Sequence, residues 1–171
     1  MKAEDIKCVA SIGGGVIGSS WTLLFAMRGL KVFQYDINDA QIEGCKKNIE
    51  NNINSLIEFG AIKAEDKEEI KSRISYTTKI AEAVKDAQFI QENGPERLPI
   101  KQGILAEIEE SAPADAIYAS SSSGLLISDV TANAVHPERC VGGHPYNPPH
   151  LIPLVEITYC EKTSPETVKL A

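Results

Sequence analysis

The chain has 171 residues, 43% hydrophobic and 24% charged, the composition of one globular domain with a substantial core, not of a disordered or fibrous chain. Its formal net charge of −7, from 17 basic and 24 acidic residues, argues against nonspecific nucleic-acid binding and supplies no basic membrane patch. No apolar run reaches the roughly 18 residues of a bilayer span, and Met1–Asp5 lacks the character of a secretory signal, so a cytoplasmic location is expected.

Strand and helix signals alternate from the start. Lys7–Ile12 is an apolar run ending at glycines, Val16–Met27 carries apolar residues at helical spacing and stops at Gly29, and Lys31–Asp36 is a second strand. Ala40–Phe59 reads as a long helix with Ile42, Cys45, Ile49, Ile53, Leu56 and Ile57 on one stripe. A charged helical piece at Glu65–Ser72, a strand at Ile74–Tyr76 and a small helix at Ile80–Lys85 follow, then a strand at Phe89–Glu92. Pro95–Ser111 is helical, with Ile100, Ile104, Leu105 and Ile108 facing inward. Ala116–Ala119 is a strand that runs into the serine cluster 120–123, followed by a helix near Ser128–Ala134. Two further strands, Cys140–Gly143 and Leu154–Tyr159, are joined by a segment holding Pro145, Pro148, Pro149 and Pro153. Ser164 and Pro165 start a helix about one turn before the chain stops. With no partner to dock on, that helix is expected to fray or to pack on a neighbouring copy. The alternation implies right-handed βαβ units: an α/β fold with a doubly wound, mostly parallel sheet of the Rossmann type and flanking helices.

The four cysteines, 8, 45, 140 and 160, form no Cys-x-x-Cys pair, and no histidine lies at zinc-site spacing, so no metal is expected. They read as reduced thiols, with Cys8 and Cys140 as small buried hydrophobes.

Gly13, Gly15 and Gly18 form G-x-G-x-x-G between a strand and a helix, the context that gives this pattern meaning. Gly13 would make the tight turn, Gly15 would admit a pyrophosphate, Gly18 would let helix and sheet approach, and the amides around Val16 and Ile17 would face the anion. Asp36 closes the second strand 21 residues after Gly15. A carboxylate there accepts from a ribose 2′-hydroxyl and repels a 2′-phosphate, and no arginine follows it, so the cofactor is expected to be NAD.

His144 follows a strand at the carboxyl edge of the sheet, where open α/β folds bind ligands. An imidazole there could take a proton from a substrate hydroxyl while hydride leaves the same carbon. Glu156 lies 12 residues on, in the next strand; if the two strands return side by side, it can hold one ring nitrogen and leave the other free. From spacing alone a surface-loop histidine fits as well. His136 and His150 each neighbour a proline and read as exposed turn residues. Ser120–Ser123 ends a strand at the same edge and offers hydroxyls to a ligand, or is a polar turn. No G-x-S-x-G elbow supports a hydrolase.

The segments IGGGVIGSSW, YDI, QENGPERLPIK, ASSSSGL and GHPYNPPHLIPLVEI together resemble the NAD-binding domain of the L-3-hydroxyacyl-CoA dehydrogenase family. HPERC and GHPYNPPHLIPLVE are closest to the branch that holds lambda-crystallin and L-carnitine dehydrogenase. The resemblance runs from about Lys7 to the end, so residues 1–171 are expected to be one NAD-binding domain. The family's second domain, helical and carrying a further substrate-binding asparagine and most of the dimer interface, would be absent. The intact protein would then be a homodimer through that domain, and this chain alone would be inactive. The resemblance implies His144 as catalytic base, Glu156 as its paired carboxylate and Ser123 as the serine between substrate and nicotinamide. It also implies Asn147 as a cofactor contact, with Glu96 and Lys101 near the nicotinamide ribose. The acyl-CoA enzymes carry a serine and a lysine on the long helix; the corresponding residues here are Asn52 and Phe59, and no lysine or arginine occurs between Ile49 and Ile62. CoA phosphates normally demand cations, so a small 3-hydroxy acid is expected as substrate, oxidised to the 3-oxo acid. The alternatives are a true 3-hydroxyacyl-CoA dehydrogenase of fatty-acid metabolism, and a non-catalytic NAD-binding structural protein.

Overall fold

The protein, a computed structural model describing residues 2–171, is built around one seven-stranded sheet. The strands are β1 (Cys8–Ile12), β2 (Lys31–Tyr35), β3 (Ile74–Thr77), β4 (Phe89–Glu92), β5 (Ile117–Ser120), β6 (Cys140–Pro145) and β7 (Val155–Thr158). Their order is β3-β2-β1-β4-β5-β6-β7, and every pairing is parallel except β6 with β7. The chain therefore winds outward from β1 in both directions, leaving a switch point between β1 and β4 at the carboxyl edge.

The helices are α1 (Val16–Met27), α2 (Asp39–Glu58), α3 (Lys67–Ser72), α4 (Ile80–Val84), α5 (Leu98–Glu109), α6 (Ile127–Val130) and α7 (Pro165–Leu170). Leu23, Ala26, Cys45, Ile49, Ile53 and Ile70, from α1, α2 and α3, pack with Val9 and Val32 on one side of the sheet. Ile80, Ala83, Val84, Leu105, Ile108 and Val130, from α4, α5 and α6, pack with Ala10, Ile12, Ile90 and Tyr118 on the other. The α2 stripe buries Ile42, Cys45, Ile49, Ile53 and Leu56 as the spacing predicts, and Asn38 caps the helix by accepting from the Gln41 N–H at 3.0 Å.

Several expectations change; the helix expected near Ser128–Ala134, for one, is α6 and ends at Val130. α5 starts at Leu98, not Pro95, because Arg97 is extended (φ −135°, ψ 118°); the first-turn proline is Pro99. Its buried stripe is Lys101, Leu105 and Ile108, with Ile100 and Ile104 only partly covered. The last helix has a partner: Val168 and Leu170 pack against Ile117, Ala119 and Val141, and Ser164 caps it through the Thr167 N–H at 3.1 Å. Cys8 is only half-buried, whereas Cys140 is fully buried. Among the described residues no helix is long and apolar enough to cross a membrane.

Candidate active site

The glycine turn joins β1 to α1. Gly13 has φ +95°, and a Cβ there would sit 2.9 Å from the Asn93 carbonyl oxygen, so the position requires glycine twice over. A Cβ on Gly18 would lie 1.8 Å from the Gly13 carbonyl oxygen; only glycine lets the first turn of α1 rest on the strand. A Cβ on Gly15 meets nothing within 4 Å, so that position opens outward. Gly15 is also the N-cap of α1 and brings no side-chain cap, which leaves the first-turn amides of Val16, Ile17 and Gly18 for an anion. Asp36, at the end of β2, accepts from the Gly14 N–H at 2.7 Å and the Ile37 N–H at 2.8 Å. Each of its oxygens keeps a lone pair for a ribose hydroxyl. These residues fit a dinucleotide: an open glycine, unspent amides and a fixed carboxylate lie along one edge.

At the other end of that edge, β6 and β7 pair antiparallel with His144 opposite Glu156. Directly facing residues on one side of such a pair have Cβ atoms about 5 Å apart, and here His144 Nδ1 stands 2.9 Å from Glu156 Oε2. A carboxylate only accepts, so Nδ1 carries the proton and, in the neutral ring, Nε2 is left with a lone pair that can accept one. Gly142 allows the pair to close: a Cβ there would lie 2.1 Å from Thr158 Oγ1. His144 and Glu156 share a cleft of about 220 Å3 with Ser122, Ser123, Thr158 and Tyr159, and among the described residues no lysine or arginine lines it.

The sequence-predicted residues fall into three groups, with Asn147 apart from them. Gly13, Gly15, Gly18 and Asp36 form the glycine end; His144, Glu156 and Ser123 line the cleft. Asn147 is exposed on the loop after β6, and that loop turns back onto α1, where His150 Nδ1 lies 2.6 Å from Ser20 Oγ and the His150 N–H donates to the same oxygen at 3.2 Å. His150 is thus a packed loop residue, not the exposed one expected, and burial pushes its imidazole below the ordinary value.

The third group lies beneath the cleft. Glu96 is nearly half exposed, but Lys101 is 1% exposed, its ammonium 3.0 and 2.9 Å from the two oxygens of Glu92 and 3.3 Å from the Gly94 carbonyl. The resemblance implies a cofactor contact at Lys101; its ammonium is covered and lies 3.6 Å from the carboxylate of Glu96. Glu92, wholly buried, also accepts from the Gly94 N–H (2.5 Å), Tyr118 Oη (3.1 Å) and Ser120 Oγ (2.7 Å). Burial, then the Glu92 charge, pushes the Tyr118 phenol far above its ordinary value, so it stays a donor. Partial burial of Glu96 works to raise its carboxyl; the Ser122 hydroxyl, the Gly124 amide, Lys101 and the Ser123 amide outweigh this and bring it below the usual range.

Sequence reasoning missed Glu92 and a second polar chain. Gln91 Nε2 donates to Ser121 Oγ (2.8 Å) and to the Gly143 carbonyl beside the catalytic candidate (3.2 Å). Asn93 accepts from Ser121 Oγ (2.7 Å) and donates to Ser11 Oγ (3.2 Å), which bonds the Gly18 carbonyl (3.3 Å). The one sequence signal was a polar triplet, Gln91-Glu92-Asn93, where a central strand should end apolar.

Residues 8–171 match the family described as 3-hydroxyacyl-CoA dehydrogenase, NAD binding domain. The chain belongs to the 3-hydroxyacyl-CoA dehydrogenase family. Among its relatives, L-carnitine dehydrogenase of Pseudomonas putida is 40% identical over 167 residues, covering 98% of this chain and 51% of the relative. The human lambda-crystallin homolog is 41% identical over 169 residues, covering 98% and 53%. These are members of the branch that the GHPYNPPHLIPLVE segment implies. Solved structures agree in fold: 3-hydroxybutyryl-CoA dehydrogenase of Escherichia coli superimposes with a TM-score of 0.91 at 29% identity, over 96% of this chain and 35% of that one. A diketoreductase gives 0.90 at 31% identity, over 96% and 59%. The chain spans about half the length of the curated relatives it matches.

Proposed function

We propose that the protein is an NAD-dependent dehydrogenase that oxidises a small 3-hydroxy acid to its 3-oxo acid, with His144 as the general base. The observation that carries this reading is the His144–Glu156 pair, 2.9 Å apart on facing strand positions within a cleft shared with the serine turn. When bound, NAD would accept the hydride from the carbinol carbon. His144 Nε2 takes the hydroxyl proton; Glu156 fixes the tautomer and stabilises the resulting imidazolium. Ser123, across the cleft, offers a hydroxyl to the substrate oxygen. Gly13, Gly15, Val16, Ile17 and Gly18 hold the pyrophosphate, Asp36 the adenosine ribose, and Asn147 the nicotinamide end.

The substrate class rests on charge. No lysine or arginine occurs between Ile49 and Ile62, Phe59 is 83% exposed where the acyl-CoA enzymes carry lysine, and several relatives are named L-carnitine dehydrogenase. An unactivated acid of that size needs no CoA-phosphate site. The test is a panel of 3-hydroxy acids, carnitine and gulonate included, beside 3-hydroxybutyryl-CoA, assayed for NADH formation with the intact protein. A free acid should give the highest kcat/KM; preference for the CoA ester by tenfold or more would overturn the substrate assignment.

A further inference from the structure

Resting on that reading, we propose that Glu96 is the positioning residue of the serine turn, holding Ser123 toward His144, and that the buried Lys101–Glu92 pair pins Glu96 in that role.

The segment Ser121–Gly124 connects β5 to the residues before α6; the Ser121 N–H still donates to the Glu92 carbonyl at 2.8 Å, but Ser122, Ser123 and Gly124 lie in no helix or strand. Serines have several local bonding choices and glycine has the widest backbone freedom, so such a turn has little intrinsic preference for one shape. An outside acceptor supplies it. One oxygen of Glu96 takes three donors from consecutive residues: Ser122 Oγ at 2.5 Å, the Ser123 N–H at 3.1 Å and the Gly124 N–H at 2.9 Å. Ser122 Oγ in turn accepts from the Leu125 N–H at 3.0 Å, so the far side of the turn is closed as well. The Ser123 hydroxyl is not used in this clasp, and its residue lines the cleft with His144.

The other Glu96 oxygen lies 3.6 Å from Lys101 Nζ. That ammonium has no freedom to wander: it is 1% exposed and sits between both oxygens of Glu92 and the Gly94 carbonyl. Glu92 is fixed by Tyr118 and Ser120, the latter the last residue of β5 before the turn. The clasp therefore closes a ring, from β5 through Glu92, Lys101 and Glu96 back to the residues that follow β5. One cation serves two carboxylates, and the exposed one is spent on the turn.

The test compares the intact protein with Glu96→Ala and Glu96→Gln by amide hydrogen exchange, with thermal midpoints recorded beside it. A hydrogen bond to a charged group contributes enough that its loss raises exchange by about tenfold or more. Glu96→Ala should show that rise at Ser123 and Gly124, and Glu96→Gln, which keeps an acceptor oxygen but loses the charge, should show a clearly smaller rise than Glu96→Ala. If Glu96→Ala does not fold, Glu96→Asp, one methylene short of the turn, should show the rise instead. Unchanged exchange at Ser123 and Gly124 would overturn the proposal. This arm needs no substrate, so its failure is separate from a failure of the dehydrogenase reading. Where turnover is measured, the Glu96→Ala loss in kcat/KM for the hydroxy acid should disappear in a Ser123→Ala background, because both remove the same positioned hydroxyl. Losses that multiply would overturn it.

Discussion

Alanine at Gly18 and alanine at Gly15 should fail in different ways, and the difference follows from two distances. A Cβ on Gly18 would stand 1.8 Å from the Gly13 carbonyl oxygen, so the turn must retreat by about 1 Å before the contact is tolerable. Overpacking of this kind costs about 1–3 kcal/mol, which for a chain of this size lowers the thermal midpoint by about 2–12 °C. The same retreat carries the turn amides away from a bound pyrophosphate. Losing one charge-assisted bond at about 1.5–3 kcal/mol weakens NADH by about 10- to 100-fold. At Gly15 a Cβ meets no protein atom within 4 Å, so the apoprotein should keep its stability to within about 1 kcal/mol, the N-cap preference for glycine over alanine. Its methyl nevertheless occupies the approach to the α1 amides, and NADH affinity should fall by a comparable factor. Thermal melts and NADH fluorescence titrations on the two variants measure both effects. Parent-like NADH affinity in Gly15→Ala would show that the pyrophosphate does not lie over this turn, and the reasoning would fall with it.

Asp36→Ala should narrow the preference for NADH over NADPH, read as the ratio of the two dissociation constants, since it removes both the ribose acceptor and the charge that repels a 2′-phosphate. Lys101→Met leaves Glu92 buried without its cation, at a cost of about 3–5 kcal/mol, or a midpoint lower by about 6–20 °C; Glu92→Gln added to it should recover most of that loss in the same melt. Because burial holds the His150 imidazole below 6.5, the unfolded chain takes the proton first as pH falls. Stability from this group is therefore complete above about 6.5 and lost as pH drops through the folded value, and His150→Asn should flatten that slope in melts from pH 7.5 to 5.

The sheet was legible because most strands are short apolar runs closed by turn or polar residues, and the glycine turn follows from local spacing; the His144–Glu156 pairing depended on two strands returning side by side, which spacing alone left open. What was not legible depends on partners distant in sequence. Lys101 stands at helical spacing from Leu105 and Ile108, which marks a buried stripe, yet a lysine there reads as solvated until Glu92 is known to lie beneath it. The start of α5 was misplaced because two prolines, Pro95 and Pro99, can each serve a first helical turn; Glu96 is drawn out to the serine turn, and the helix begins after it. His150 sits beside Pro149 and reads as an exposed turn, but its loop folds back onto Ser20 of α1.

The central claim is that His144 moves the substrate proton while the glycine end holds the cofactor independently of it. The most direct measurement is steady-state turnover of the best 3-hydroxy acid by His144→Ala, beside its NADH dissociation constant. Turnover should fall by about 10²- to 10⁴-fold with NADH affinity within about twofold of the parent; near-parent turnover would contradict the account.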